Sequence, residues 1–234
     1  MPEESITREQ AFEQCVAVVR ERALFSFMEL RSQSGEIQPQ PVAFEPLSQW
    51  FVGCLVLDAP GYMRMVTKEN FEEWNVTFDE LFEVGLERLR DSSAPKFQQE
   101  DGYFVGCWKD DYDSSRILVA DVFTNFPIQG SPVICTPNRL TLLVADSKNE
   151  AAVQAMLTRA EYICQNEPRA TNPAPLTWKN GEIVDFQASP GSVLFQPVQR
   201  AERIAGIIYH EEQKTLIEEL HERTGKDNLV ASSP

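Results

Sequence analysis

A chain of 234 residues, 42% of them hydrophobic and 10% aromatic, can bury a substantial core and needs neither a disulfide nor a metal to staple it. Its 21 basic residues stand against 36 acidic ones, a net charge of -15, which disfavours nucleic acid and anionic membranes and allows a cationic partner. No apolar run approaches the length of a bilayer span, mean hydropathy is -0.31, and Met1 to Gln10 is polar with three glutamates, so a cytoplasmic location is expected.

In chain order, Thr7 with Gln10 forms a capping box, and Phe12, Cys15, Val16, Val19 and Ala23 continue as one helical stripe. Arg31 to Gln49, rich in Gln, Ser and Pro, reads as a loop. Phe51 to Leu57 and Met63 to Thr67 read as strands about an Ala59-Pro60-Gly61 turn. Thr77 with Glu80 opens a helix whose face is Phe78, Leu81, Phe82, Gly85 and Leu89. Lys96 to Gln99 and Tyr103 to Trp108 flank Asp101-Gly102, a hairpin signal. Asp113 suits the N-cap of a shorter helix carrying Leu118, Val119, Val122, Phe123 and Phe126.

Further along, Pro132 to Thr136 and Leu140 to Ala145 flank Pro137-Asn138, with proline at the first central position of a type I turn. Ser147 with Glu150 opens a helix aligning Val153, Met156, Leu157, Ala160 and Cys164. Gln165 to Pro175 reads as a loop. Leu176 to Trp178 and Glu182 to Phe186 flank Asn180-Gly181, a second hairpin signal. A final helix over 198–221 stops before Gly225, and Gly206 inside it costs helix propensity and marks a candidate close contact. Hairpins alternating with helices predict an α+β fold, a mixed or antiparallel sheet with packed amphipathic helices. The expected organisation is one domain over 1–224, or two tightly packed sub-domains meeting near 92–96, then a disordered tail over 225–234.

From Phe51 onward the chain resembles the YtpQ-like family, mostly bacterial proteins of unknown function. The resemblance rests on Ala59-Pro60-Gly61-Tyr62-Met63-Arg64-Met65-Val66-Thr67, then Phe71-Glu72-Glu73-Trp74-Asn75-Val76-Thr77 and Asp79-Glu80-Leu81-Phe82. Tyr112-Asp113-Ser114-Ser115-Arg116-Ile117-Leu118, Gly130-Ser131-Pro132-Val133, Pro137-Asn138-Arg139, Leu142-Leu143-Val144 and Pro175-Leu176-Thr177-Trp178 follow in order. The resemblance implies an intracellular α+β protein and brings no catalytic residue with it.

Asp110, Asp111 and Asp113, with Glu100 and Asp101 across the preceding hairpin, form the densest acidic group. Loop oxygens are what Ca²⁺ or Mg²⁺ requires, but the spacing of a calcium loop is absent, and a solvated turn with Asp113 capping a helix is the plainer expectation. Arg116 and the Asn138-Arg139 turn are the candidate anion-binding positions, since an arginine pair near a helix N-terminus can hold a carboxylate or phosphate. The competing expectation is a salt bridge from Arg116 to Asp113 or Asp121, and an Arg139 stem lying along a hairpin.

The two histidines, His210 and His221, lie eleven residues apart on one helix, about 16 Å, too far to share a metal. Five cysteines without a C-x-x-C pair read as small buried hydrophobes. The dinucleotide, P-loop, nucleophile-elbow and zinc-protease signatures are all missing, so no cofactor, metal or catalytic residue is assigned. The leading expectation is a non-catalytic binding protein whose acidic surface suits a basic protein partner. The alternative is an enzyme or small-ligand binder using carboxylates around 100–113 with an arginine anion anchor, and a structural subunit of a larger assembly is the third.

Overall fold

The computed structural model describes residues 6–26, 42–124 and 126–224. The chain is α+β, with every strand pairing antiparallel. Helix α1, Arg8–Gln14, starts at the expected capping box, Thr7 Oγ1 accepting from Gln10 N and Gln10 Oε1 from Thr7 N. It stops where the stripe predicted continuation. Cys15–Glu21 is instead strand β1, paired residue for residue with β3, Phe51–Ala59. Cys15 to Val19 are buried on both faces of the strand. A short run that is apolar all round satisfies a helical stripe by default, and three valines among its members favour the extended form.

β2, Phe44–Pro46, flanks β3 on its other edge, inside the segment expected to be a loop. Its closing proline suits an edge strand, which needs no N–H there. β4, Tyr62–Met65, returns from β3 through Gly61 at φ +90° and completes this first sheet. α2, Lys68–Trp74, and α3, Phe78–Asp91, follow, α3 opened by the Thr77–Glu80 capping box. α3 lies on the face of the first sheet that carries Ala17 and Leu55; a Cβ added at Gly85 would come within 2.8 Å of both Ala17 N and Leu55 Cδ2.

The chain passes into the second sheet through 92–96. Its order is β10-β9-β7-β8-β6-β5. β5, Phe97–Glu100, and β6, Tyr103–Gly106, turn at Asp101-Gly102; β9, Leu176–Lys179, and β10, Glu182–Asp185, turn at Asn180-Gly181. Both central residues of each turn have positive φ, the type I′ geometry that the sequence signals. β7, Pro132–Cys135, and β8, Leu143–Asp146, do pair, but not through a tight turn at Pro137-Asn138. The connection 136–142 instead pairs with a later segment: Asn138 bridges Ala170, and Thr171 N donates to Pro137 O.

Between β6 and β7 lie a 3₁₀ helix, Ser114–Leu118, and α4, Asp121–Thr124. α5, Glu150–Asn166, is capped by Asn149, whose side chain accepts from Ala152 N; the expected cap, Ser147, instead accepts from Ser131 N. α6 runs Phe195–Thr224, longer than expected at both described ends. The predicted 225–234 tail and most of the 31–49 loop lie outside the described residues.

Alternation along β7 and β8 sorts the layers. Ile134 and Val144 join Val18, Cys54 and Val56 in one buried cluster between the two sheets, whereas Val133, Cys135, Leu143 and Ala145 join the cluster under α5 and α6. The order is helix, sheet, sheet, helices. Among the described residues no helix is long and apolar enough to cross a membrane.

Two glycines separate close packing from spare room. Gly85→Ala should destabilise by about 1–3 kcal/mol because backbone must give way. Gly206→Ala should stabilise by about 0.5–1 kcal/mol, since the nearest atom, Trp50 Cη2, is 3.6 Å away. Thermal melts of both variants check this, at about 2–4 °C per kcal/mol for a chain of this size.

Candidate functional site

After Trp108 the backbone folds back on itself, with Lys109 and Asp111 both at positive φ, and delivers five wholly buried residues, Ser114 to Leu118, between the sheets. Four of them, Ser114 to Ile117, are tied to neighbouring segments. Ser115 Oγ accepts from Val19 N along the free edge of β1, and Ser114 Oγ donates to Arg139 O. Trp178 Nε1 donates to Ile117 O, securing the second sheet to the same turn.

Arg116 is fully buried. Its terminal nitrogens donate to Asp110 at 2.8 and 2.5 Å and to Ser92 O at 3.2 Å, and its guanidinium lies 4.5 Å from the Trp108 ring centroid. The partner is therefore Asp110 rather than Asp113 or Asp121, and the bidentate pairing leaves little of Arg116 for a ligand. Burial pushes the Asp110 carboxyl up, but hydrogen bonds and charge from Arg116 outweigh it and the net shift is downward. Asp113 does not cap the following helix. Its carboxylate turns back and accepts from Trp108 N and Lys109 N, both at 3.1 Å, closing the loop behind it. Burial raises its pKa despite those bonds.

The acidic group of the sequence does not converge. Glu100 and Asp101 sit at the turn of the β5-β6 hairpin, Gly102 packing on Ala152, while Asp110 to Asp113 leave from its other end, about 13 Å away at 3.3 Å per residue. Asp111 pairs with Arg169 at 2.9 Å on the surface. Among the described residues no three His, Cys, Asp or Glu side chains are grouped to hold a metal. Asn138 is buried in its own turn, Oδ1 accepting from Leu140 N at 3.0 Å, with Nδ2 3.4 Å from Glu167. His210 and His221 are both exposed on α6. Burial pushes the Cys15 and Cys164 thiols to about 11 and Cys54 to about 12.

The residue that sequence reasoning missed is Arg20. It falls on the inward face of β1, in line with Val16 and Val18 and opposite Val52. It is 5% exposed. Nη1 donates to Val19 O at 2.8 Å, Nε has no hydrogen-bond partner, and among the described residues no carboxylate lies within ion-pair distance. Burial depresses its pKa, with the positive charges of Arg139 and Arg169 acting in the same direction. Arg139, half-buried, has an unpartnered Nε as well. The signal was present in the sequence: one arginine closing a run of five apolar residues, legible once that run is a strand.

The three arginines are held together by backbone. The adjacent serines 114 and 115 fix Arg139 and Val19, and Arg139 N donates to Arg169 O at 3.1 Å. Cys54, on the same face of the first sheet, feels both Arg20 and Arg139. Tyr112 Oη, also within reach of the Arg20 charge, donates to Asp58 at 2.6 Å. The result is a seam between the sheets whose carboxylates are committed to fixed donors, while Arg20 and Arg139 have no carboxylate partner among the described residues. Comparison with known proteins finds no matching family model, no similar curated protein and no similar solved structure.

Asp110→Asn should destabilise strongly at pH 7, since it leaves Arg116 buried without a counter-charge. The folded pKa of Asp110 lies below its unfolded value, so its contribution is present above that unfolded value, near 4, and fades as pH falls through the folded one. Denaturant melts of wild type and variant should therefore differ most at neutral pH and converge as pH drops below about 4.

Proposed function

We propose that the protein acts by binding rather than by covalent chemistry, and that it receives the anionic group of a ligand at the Arg20–Arg139 seam. One observation carries this: Arg20 is buried and nothing in the described structure neutralises it. A buried charge without a partner costs several kcal/mol, and a site retains one where a ligand supplies the missing half. Arg116, equally buried, has its own carboxylate, so the fold can build such a pair and does not at Arg20. The seam offers donors without an unengaged general base beside a nucleophile, which favours capture over turnover.

The protein-partner reading has its own support. The outer faces of α2 and α3 expose Glu72, Glu73, Asp79 and Glu83, an acidic surface suited to a basic partner. A cytoplasmic setting belongs to the same proposal, as does membership of the YtpQ-like family, which rests on the motifs given above.

The anion reading is tested by thermal shift of the purified chain with acetate, succinate, sulfate and phosphate at constant ionic strength, chloride serving as reference. A ligand at about 100 times its Kd adds about 2.7 kcal/mol, several degrees in Tm. The expected result is a saturable rise with at least one oxyanion that is lost in Arg139→Gln. Identical, non-saturating responses to all salts would overturn it.

A further inference from the structure

The elbow between α2 and α3 holds a cavity that the seam does not use. α2 ends on Asn75 at φ 49°, whose N–H donates to Glu72 O, and Val76 N donates to Phe71 O. Thr77 then caps α3. The two helices therefore meet across residues 75 to 77, and between them lies an open cavity of about 310 Å³. Its apolar lining comes from the buried Val76 and the half-buried Phe71, its charge from Glu72 and Glu80, and Asn75 and Thr77 complete it. Phe71 is steadied by the ring of Phe78, centroids 6.0 Å apart.

Both carboxylates are exposed, and among the described residues neither has a cation within ion-pair distance. Glu80 Oε2 accepts from Thr77 N at 2.8 Å and from Thr77 Oγ1 at 3.0 Å, so the capping box occupies one oxygen and leaves the other. Those bonds, with a smaller effect from the charge of Arg8, hold the Glu80 carboxyl below its usual range. The N-terminal end of α3 opposes a cation here, but it carries only about half a charge, and Asp79 and Glu80 in its first turn outweigh it. The cavity is thus apolar inside and negative at its rim.

Resting on the protein-partner reading, we propose that this cavity receives one arginine side chain of a basic protein partner. An apolar hollow with carboxylates at its mouth matches a side chain that has an aliphatic stem and a cationic end. A guanidinium is more weakly hydrated than an ammonium, stacks on aromatic rings and donates to carboxylates through a planar fork. Phe71 beside Glu72 and Glu80 therefore favours arginine over lysine. At about 310 Å³ the cavity lies at the small end of ligand sites, which suits one inserted side chain rather than an extended segment. The surrounding Glu73, Asp79 and Glu83 attract the rest of a basic surface, while the cavity fixes where its anchor goes.

NMR titration of the isotope-labelled protein tests this with N-acetyl-arginine amide, N-acetyl-lysine amide and a hexa-arginine peptide, in about 0.15 M salt, where exposed charges are screened beyond about 8 Å. The arginine amide should shift the backbone amides of Asn75, Val76 and Thr77 and bind about threefold or more tightly than the lysine amide. Glu72→Gln and Glu80→Gln, the latter keeping a capping-box residue, should each weaken hexa-arginine about three- to tenfold. Glu73→Gln and Glu83→Gln, on the same acidic face but outside the cavity, should change it less than about twofold. Equal weakening by all four substitutions would overturn the cavity as the anchor site and leave the basic-partner reading standing. A lysine amide that binds as tightly as the arginine amide would overturn the choice of arginine. Absence of hexa-arginine binding would overturn both the anchor and the basic-partner reading.

Discussion

The ion pair between Arg116 and Asp110 is the constraint on which the rest of the molecule depends. It lies in a buried 3₁₀ turn between two sheets that share no strand. Through that turn the edge of β1, the C-terminal end of α3, the carbonyl of Arg139 and the indole of Trp178 are tied to one short segment. A charge buried there would be untenable alone; bidentate pairing, a carbonyl acceptor and the Trp108 ring offset its burial, with only Nε left without a hydrogen-bond partner. Asp113 then locks the loop that carries Asp110, using two backbone N–H groups that a sheet or helix would otherwise have bonded. Unlike hydrophobic packing, which would tolerate sliding of one sheet over the other, this node sets a register between them.

That register decides what reaches the seam. Serine 114 and serine 115 are neighbours in the chain, yet one holds the segment of Arg139 and the other that of Arg20. Residues separated by more than a hundred positions thus meet because two adjacent hydroxyls point to different sheets. The functional proposal is a consequence of the same geometry: having paired Arg116 with Asp110, the fold brings Arg20 and Arg139 to the seam with no carboxylate partner for either among the described residues.

Much of the architecture was legible in the sequence where local chemistry is decisive. Asp101-Gly102 and Asn180-Gly181 named their hairpins because type I′ turns demand positive φ at both positions. Thr77 with Glu80 named the start of α3 because the box satisfies two orphan amides. What was not legible depended on tertiary context. Cys15 to Val19 fit a helical stripe, and only pairing with β3 makes them a strand. Asn149 displaced Ser147 as a cap because the serine is engaged by Ser131. The candidate residues Asp110, Asp111, Asp113, Arg116, Asn138 and Arg139 do lie in one region, since the segment after β6 and the β7-β8 connection meet there. Their roles follow from partners that sequence spacing does not encode, and Arg20 was hidden by the same misassigned strand.

Arg116 and Arg20 form an internal comparison: two arginines, both buried, one paired and one not. If Arg20 is kept for a ligand, it is a liability to the empty protein, as sites held ready for charged ligands generally are. The most direct measurement is the unfolding free energy of Arg20→Met and Arg116→Met in Tris chloride free of phosphate and carboxylates. The account predicts that Arg20→Met is as stable as wild type or more so, by up to about 4 kcal/mol, while Arg116→Met loses about 3–5 kcal/mol. A comparable loss in both variants would mean that Arg20 is satisfied within the fold, and would contradict the claim that its charge awaits a ligand.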